Sequence, residues 1–119
     1  MLIAKNPCTG KIIAEYPTLN NTQLHERIGD AFRAADQWQA LSYQERGQIL
    51  TAVAAELRKQ KDTLAELMAI EMGKPFKEGL AEVEKAAGCA EYYAEHAAEY
   101  LAPQTLPPDA SLSYVCHPP

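Results

Sequence analysis

Long apolar runs are missing from this 119-residue chain. None approaches the roughly 18 residues that a membrane-crossing helix needs. The opening ten residues also lack the extended apolar segment of a secretory leader. The cytoplasm is therefore the expected compartment, and no membrane partner is expected. Basic charge is scarce as well: 11 Lys and Arg stand against 16 Asp and Glu, for a net charge of -5. A nucleic-acid binder neutralises phosphates with a basic stripe, and none is present, so nucleic acid is not an expected partner.

Paired metal ligands and paired cysteines are lacking too. The three cysteines, Cys8, Cys89 and Cys116, are odd in number and far apart, which does not suggest a disulfide framework and leaves reduced thiols as the simpler reading. No C-x-x-C or H-x-x-x-H spacing joins them to His25, His96 or His117, so they do not read as a metal site. Cys116 next to His117 invites comparison with a thiolate and its base, but adjacent residues on a strand point to opposite faces.

What is present is an ordinary globular composition, 47% hydrophobic and 23% charged, with length for one modest core. Leu2, Ile3 and Ala4, then Lys11 to Tyr16, read as two short strands joined through Asn6-Pro7-Cys8-Thr9-Gly10, a hairpin with Pro and Gly as turn formers. After Asn21, read as an N-cap, Leu24, Ile28, Ala31, Phe32, Ala35 and Trp38 follow the spacing of an amphipathic helix. Ser42 with Glu45 forms a capping box for a second helix whose apolar face carries Ile49, Leu50, Val53, Ala54 and Leu57. Asp62 is a plausible cap for a third helix bearing Leu64, Leu67 and Met68, with a kink as the alternative to a break.

The stretch Glu71-Met72-Gly73-Lys74-Pro75 packs a helix stop and a helix start into five residues, because Gly takes the left-handed conformation and Pro suits a first helical turn. Leu80, Val83, Ala87, Ala90, Tyr93, Ala94, Ala97 and Leu101 then mark a long fourth helix. Pro103, Pro107 and Pro108 predict an extended linker, and residues 112–116 read as a strand whose only evident partner in the chain is the opening hairpin. The fold class expected is α+β: an N-terminal β-hairpin, three to four helices and a C-terminal strand. Lys74 reads as a solvated turn lysine, since a lone Gly-Lys lacks the glycine-rich loop of a phosphate site. Trp38, Tyr92 and Tyr93 read as packing residues, and the run from Arg58 to Lys61 as a solvated face.

The order Asn6-Pro7-x-Thr9-Gly10, Trp38, Arg46, Glu71-Met72-Gly73-Lys74-Pro75, Glu82-Val83 and Tyr92-Tyr93-Ala94 resembles the aldehyde dehydrogenase superfamily, most of all bacterial succinate-semialdehyde dehydrogenases. The resemblance covers essentially the whole chain. It implies oxidation of an aldehyde to a carboxylate with NAD or NADP as hydride acceptor, through a cysteine nucleophile, an oxyanion-stabilising amide and a base. The family's Pro-Trp-Asn, glycine-rich cofactor, Glu-Leu-Gly-Gly and Gly-Gln-x-Cys motifs do not occur here. No catalytic or cofactor-binding residue is therefore assigned, and the 119 residues are expected to be inactive alone, as an N-terminal fragment.

By the same resemblance, residues 1–101 look like the hairpin and helical outer layer of a Rossmann-like cofactor-binding domain. Residues 102–110 look like a Pro-rich linker, and 111–119 like the first strand of the hairpin that builds a homo-oligomer interface. Glu82 resembles an acidic residue near a structural cation in some members; a solvated helix acid is the other reading of it. A small helical assembly module that pairs through its terminal strand is the alternative to an enzyme fragment.

Overall fold

The computed structural model describes residues 1–106 and 113–117. In chain order the elements are β1 (Leu2–Lys5), β2 (Ile12–Tyr16), α1 (Asn21–Ala40), α2 (Tyr43–Lys59), α3 (Lys61–Met72), α4 (Phe76–Tyr100), β3 (Gln104–Thr105) and β4 (Tyr114–Val115). Mostly helical with small strands, this agrees with the α+β reading.

β1 and β2 pair antiparallel with Leu2 opposite Tyr16 and Ala4 opposite Ala14, and an irregularity between Ala4 and Lys5 shifts the register. The turn is held by the Asn6 side chain, whose Oδ1 accepts the N–H groups of Cys8 at 2.9 Å and Thr9 at 3.0 Å. Gly10 closes it at φ 70°, a left-handed conformation that glycine adopts without a Cβ penalty.

Reciprocal caps start the first two helices. At α1 the cap is Asn20, one residue earlier than the sequence reading placed it. Asn20 accepts the Gln23 N–H at 2.9 Å, and the Gln23 carbonyl group accepts the Asn20 N–H at 3.0 Å. The Gln three residues on decides between the two adjacent asparagines. Ser42 and Glu45 form the expected box at α2. Between α2 and α3 the chain breaks at Gln60, which makes no side-chain cap, and Asp62 lies inside the first turn of α3 rather than capping it. Gly73 ends α3 at φ 72°, and Pro75 precedes Phe76, the first residue of α4.

The core lies where α2 and α3 run alongside α4 in the opposite direction, bringing Gly47 against Ala94 and Ala65 against Gly79. Its buried apolar residues are Ala54, Ala65, Val83 and Ala87, and among the described residues no large side chain is fully buried. Small residues allow backbones to approach closely, and here they do so at the expense of buried apolar volume.

β4 pairs antiparallel with β3, Gln104 opposite Val115 and Thr105 opposite Tyr114. The terminal strand thus finds its partner inside the stretch read as a linker, since Gln104, Thr105 and Leu106 after Pro103 keep their own N–H groups, and that of Leu106 donates to the Ser113 carbonyl oxygen at 2.9 Å. Leu112, read as the start of that strand, lies outside the described residues.

α1 has no such packing. None of its residues is buried, and Phe32 is 77% exposed. Its apolar stripe exists as the spacing predicts, but faces solvent. The expectation that the aromatic residues pack in a core also fails within this chain: Trp38, Tyr92 and Tyr93 are 41%, 46% and 51% exposed. The radius of gyration is 20.5 Å, against about 13.5 Å for a compact domain of this length. The accessible surface of 9345 Å² exceeds the roughly 6,400 Å² of a compact monomer of this mass.

Candidate functional site

Charged side chains join the helices. Arg58, on α2, donates from Nε to Glu84 at 2.7 Å and from its terminal nitrogens to both carboxylate oxygens of Glu91, the longer of these bonds being 2.8 Å. Lys61 reaches the other Glu84 oxygen at 3.2 Å. Glu84 and Glu91 stand seven residues apart, two turns along one face of α4, so a single guanidinium fork spans both. Bonding to Arg58 holds both carboxylates below the usual range, with Lys61 adding to the effect on Glu84, and the two carboxylates raise Arg58 in turn. Within the run read as a solvated face, Arg58 and Lys61 therefore fasten to α4, while Lys59 and Gln60 bond to Glu56 on α2. The seven-residue spacing of two acids opposite a basic pair was the available signal.

Lys74, read as a solvated turn lysine, and Glu82, read either as an acid near a structural cation or as a solvated helix acid, bond to each other across the start of α4. The Lys74 side chain is only 23% exposed. Glu82 thus answers to a lysine, and among the described residues no group of three or more His, Cys, Asp or Glu could hold a metal ion. These residues do not by themselves make a cation site. The three thiols are free and exposed, at separate places in the chain.

Two concavities flank Gly47. One is an open groove of about 560 Å³ between α2 and α4, lined by Gln44, Gln48, Thr51, Glu91 and Glu95. It faces two carboxylates and holds no glycine-rich turn, so it does not suit an anionic dinucleotide. The other, about 160 Å³, lies where the end of α1 meets α2 and α4, among Trp38, Tyr43, Arg46, Leu50, Tyr93 and Leu101. The Arg46 guanidinium carbon sits 4.5 Å from the centre of the Tyr43 ring, a cation–π distance. Its Nε is buried and has no hydrogen-bond partner. Sequence reading singled out Arg46 only as part of a motif, since an orphaned donor has no sequence signature.

Along the last turns of α4, His96 stacks on Tyr92 with ring centres 4.3 Å apart, and its Nδ1 meets the Tyr92 carbonyl oxygen at 2.8 Å. The Tyr92 and Tyr100 hydroxyls bond to each other, which pushes the Tyr100 hydroxyl up from its ordinary range. No helix among the described residues is long and apolar enough to cross a membrane.

Residues 2–119 match the model of the aldehyde dehydrogenase family. The chain is 32% identical over 114 residues to a probable succinate-semialdehyde dehydrogenase [NADP(+)] of Synechocystis sp., covering 96% of this chain and 25% of the relative. Over 123 residues it is 35% identical to a peroxisomal aminoaldehyde dehydrogenase of Pisum sativum, covering 96% and 24%. Succinic semialdehyde dehydrogenase from Streptococcus pyogenes, solved in complex with NADP+, superposes with a TM-score of 0.84 at 30% identity over 91% of this chain and 24% of that one. The chain spans about a quarter of the length of these relatives. The chain belongs to the aldehyde dehydrogenase family.

Proposed function

We propose that this chain is the N-terminal helical layer of the cofactor-binding domain of an NAD(P)-dependent aldehyde dehydrogenase, lying outside its Rossmann-like sheet. The observation that carries the reading is a family match over residues 2–119 in a chain whose own helices leave an entire apolar face uncovered. The reaction of the complete protein is oxidation of an aldehyde to a carboxylate, with succinate semialdehyde the leading substrate by analogy with the Synechocystis and Streptococcus relatives. NADP is the leading cofactor on the same ground, with NAD as the alternative. The cofactor supplies the hydride acceptor when bound. Among the described residues no such cradle is evident: the open groove between α2 and α4 is lined by Glu91 and Glu95, and the sequence has no glycine-rich turn.

Within that reading the contribution of the 119 residues is mechanical. The Arg58–Glu84–Glu91 fastening and the Gly47–Ala94 contact keep α2 and α4 in one layer, which fixes the surface presented to the sheet. The segment 111–119 is the first strand of an interface hairpin in a homo-oligomer on this reading, and the antiparallel pairing of Tyr114 and Val115 with Thr105 and Gln104 supports its being a strand. Any role of Glu82 beside a structural cation would require Lys74 to give way and further ligands to come from elsewhere in the enzyme.

The test is titration of the purified 119-residue chain with NADP and NAD, alongside aldehyde-dependent reduction of either cofactor with succinate semialdehyde. No binding and no turnover are expected. Turnover that disappears when one of Cys8, Cys89 or Cys116 is replaced would overturn the reading.

A further inference from the structure

We propose that Tyr92 and Tyr100 form an oxidative modification site, at which a haem peroxidase using hydrogen peroxide couples the two phenols of one chain into a dityrosine that staples the last two turns of α4.

Neighbouring side chains on a helix ordinarily stand three or four residues apart. Tyr92 and Tyr100 are eight apart, about 12 Å along the axis. Their hydroxyls nevertheless bond to each other, and their ring centres lie 6.2 Å apart. His96, at the midpoint, stacks with both, at 17° to the Tyr92 ring and 26° to the Tyr100 ring. A second contact fixes its ring: a carbonyl oxygen only accepts, so the Nδ1 that meets the Tyr92 carbonyl oxygen carries the proton and donates it. Both tyrosines are close to half exposed, 46% and 48%, so an oxidant in solution reaches either.

This arrangement meets the two requirements of phenol coupling. A phenol that gives up an electron becomes a strong acid and must release its proton at once. Whichever hydroxyl donates in the pair, the other oxygen receives that proton and passes it to water. Two phenoxyl radicals must then meet, and holding them on one helix replaces a bimolecular encounter with an intramolecular one. Meeting at the hydroxyl ends also brings the adjacent ring carbons, where the new bond forms, toward each other. Each phenol gives one electron and one proton, and hydrogen peroxide takes both pairs to become two molecules of water. A bond forms between one ring carbon beside each hydroxyl, and the hydrogens on those carbons move to the oxygens. The product keeps both hydroxyls and is lighter by two hydrogen atoms.

The other tyrosines lack this geometry. Tyr93 lies 5.4 Å from Tyr92 at 85°, which sets the edge of one ring against the face of the other. Tyr16, Tyr43 and Tyr114 stand on β2, α2 and β4.

The test oxidises the purified 119-residue chain with a haem peroxidase and hydrogen peroxide. The exposed thiols are blocked first with iodoacetamide, because Cys89, one turn before Tyr92, can return a hydrogen atom to the radical. Monomeric product is then cleaved after glutamate, and dityrosine fluorescence and cross-linked peptides are read. Residues 92–95 should be joined to the peptide that begins at Tyr100, in a yield that does not change on dilution. Tyr92→Phe and Tyr100→Phe should each lower that yield by about tenfold or more, toward that of untethered phenols. Tyr93→Phe and Tyr114→Phe should leave it unchanged. Unfolding the chain in urea before oxidation should lower it as well, since the contact depends on the helix. A linkage that keeps its full yield in Tyr100→Phe or in urea, that joins Tyr92 to Tyr93, or that forms only between chains would overturn the proposal, as would the absence of dityrosine.

Discussion

Replacing Gly47 with alanine should destabilise the helical layer, although alanine is the better helix former. Gly47 lies inside α2, where exchange of glycine for alanine ordinarily gains about 1 kcal/mol. A Cβ at this position would sit 2.7 Å from the carbonyl oxygen of Ala94, with the carbonyl carbon at 3.5 Å. The obstacle is backbone of α4, so no side-chain rotation relieves it, and the two helices must separate. Overpacking of this kind costs about 1–3 kcal/mol, enough to cancel the propensity gain and reverse its sign. Gly88 provides the control: it also lies inside a helix, and a Cβ there meets nothing within 4 Å. Gly88→Ala should therefore stabilise by about 0.5–1 kcal/mol. The propensity gain is common to both, so the two single variants should differ by about 1–3 kcal/mol, which is about 0.5–2 M in urea midpoint for an ordinary denaturant slope. Far-UV circular dichroism followed through urea unfolding measures this. If Gly47→Ala stabilised the chain as much as Gly88→Ala, α2 and α4 would not approach as described.

Three further changes bear on the same layer. Ser42→Ala removes the N-cap of α2, whose hydroxyl accepts the Glu45 N–H at 3.2 Å, and should cost about 1 kcal/mol in the same unfolding assay. Val83→Ala, at one of the few buried positions, should cost about 2 kcal/mol, toward the low end for a core because the site borders an open apolar groove. Acid should loosen the layer in a defined window. Glu84 and Glu91 are held below the ordinary carboxylate range by bonding to Arg58, so the folded state binds these protons less readily than the unfolded one. Their stabilisation is complete above the unfolded value and is lost as pH falls through the lower folded values. The urea midpoint should be flat above about pH 5 and drop below it, with a shallower drop in Glu84→Gln and in high salt; a midpoint independent of pH down to strong acid would contradict the clamp.

Much of this layer was legible in the sequence because its signals are local. The Ser42 and Glu45 box, the left-handed Gly73 before Lys74-Pro75, and the hairpin through Asn6 and Gly10 each depend on residues a few positions apart. They appear where the spacing places them. Two misses are local, the cap of α1 at Asn20 rather than Asn21 and Asp62 inside the first turn of α3; the others are relations between segments. Lys74 meets Glu82, Arg58 meets Glu84 and Glu91, and Tyr114 meets Thr105, pairings that depend on how α4 lies against α2 and α3 or on a strand only two residues long. Apolar periodicity likewise identified the faces of α1 and α4 without saying what covers them. Trp38, Tyr92 and Tyr93 read as core residues because a sequence reports hydrophobic faces whether or not their partner lies within the same 119 residues. The chemistry was legible only as an absence of motifs, and the orphaned Arg46 only from the packing.

The measurement that bears most directly on the account is aldehyde-dependent NADP reduction by the chain alone and by the chain fused in frame to the rest of the Streptococcus pyogenes succinic semialdehyde dehydrogenase. The account predicts no reduction by the chain and reduction of NADP with succinate semialdehyde by the fusion, as the helical layer completes a domain whose nucleophile and cofactor cradle lie in the other part. Reduction by the 119 residues alone, or a folded fusion with no activity toward succinate semialdehyde or a short aliphatic aldehyde, would contradict it.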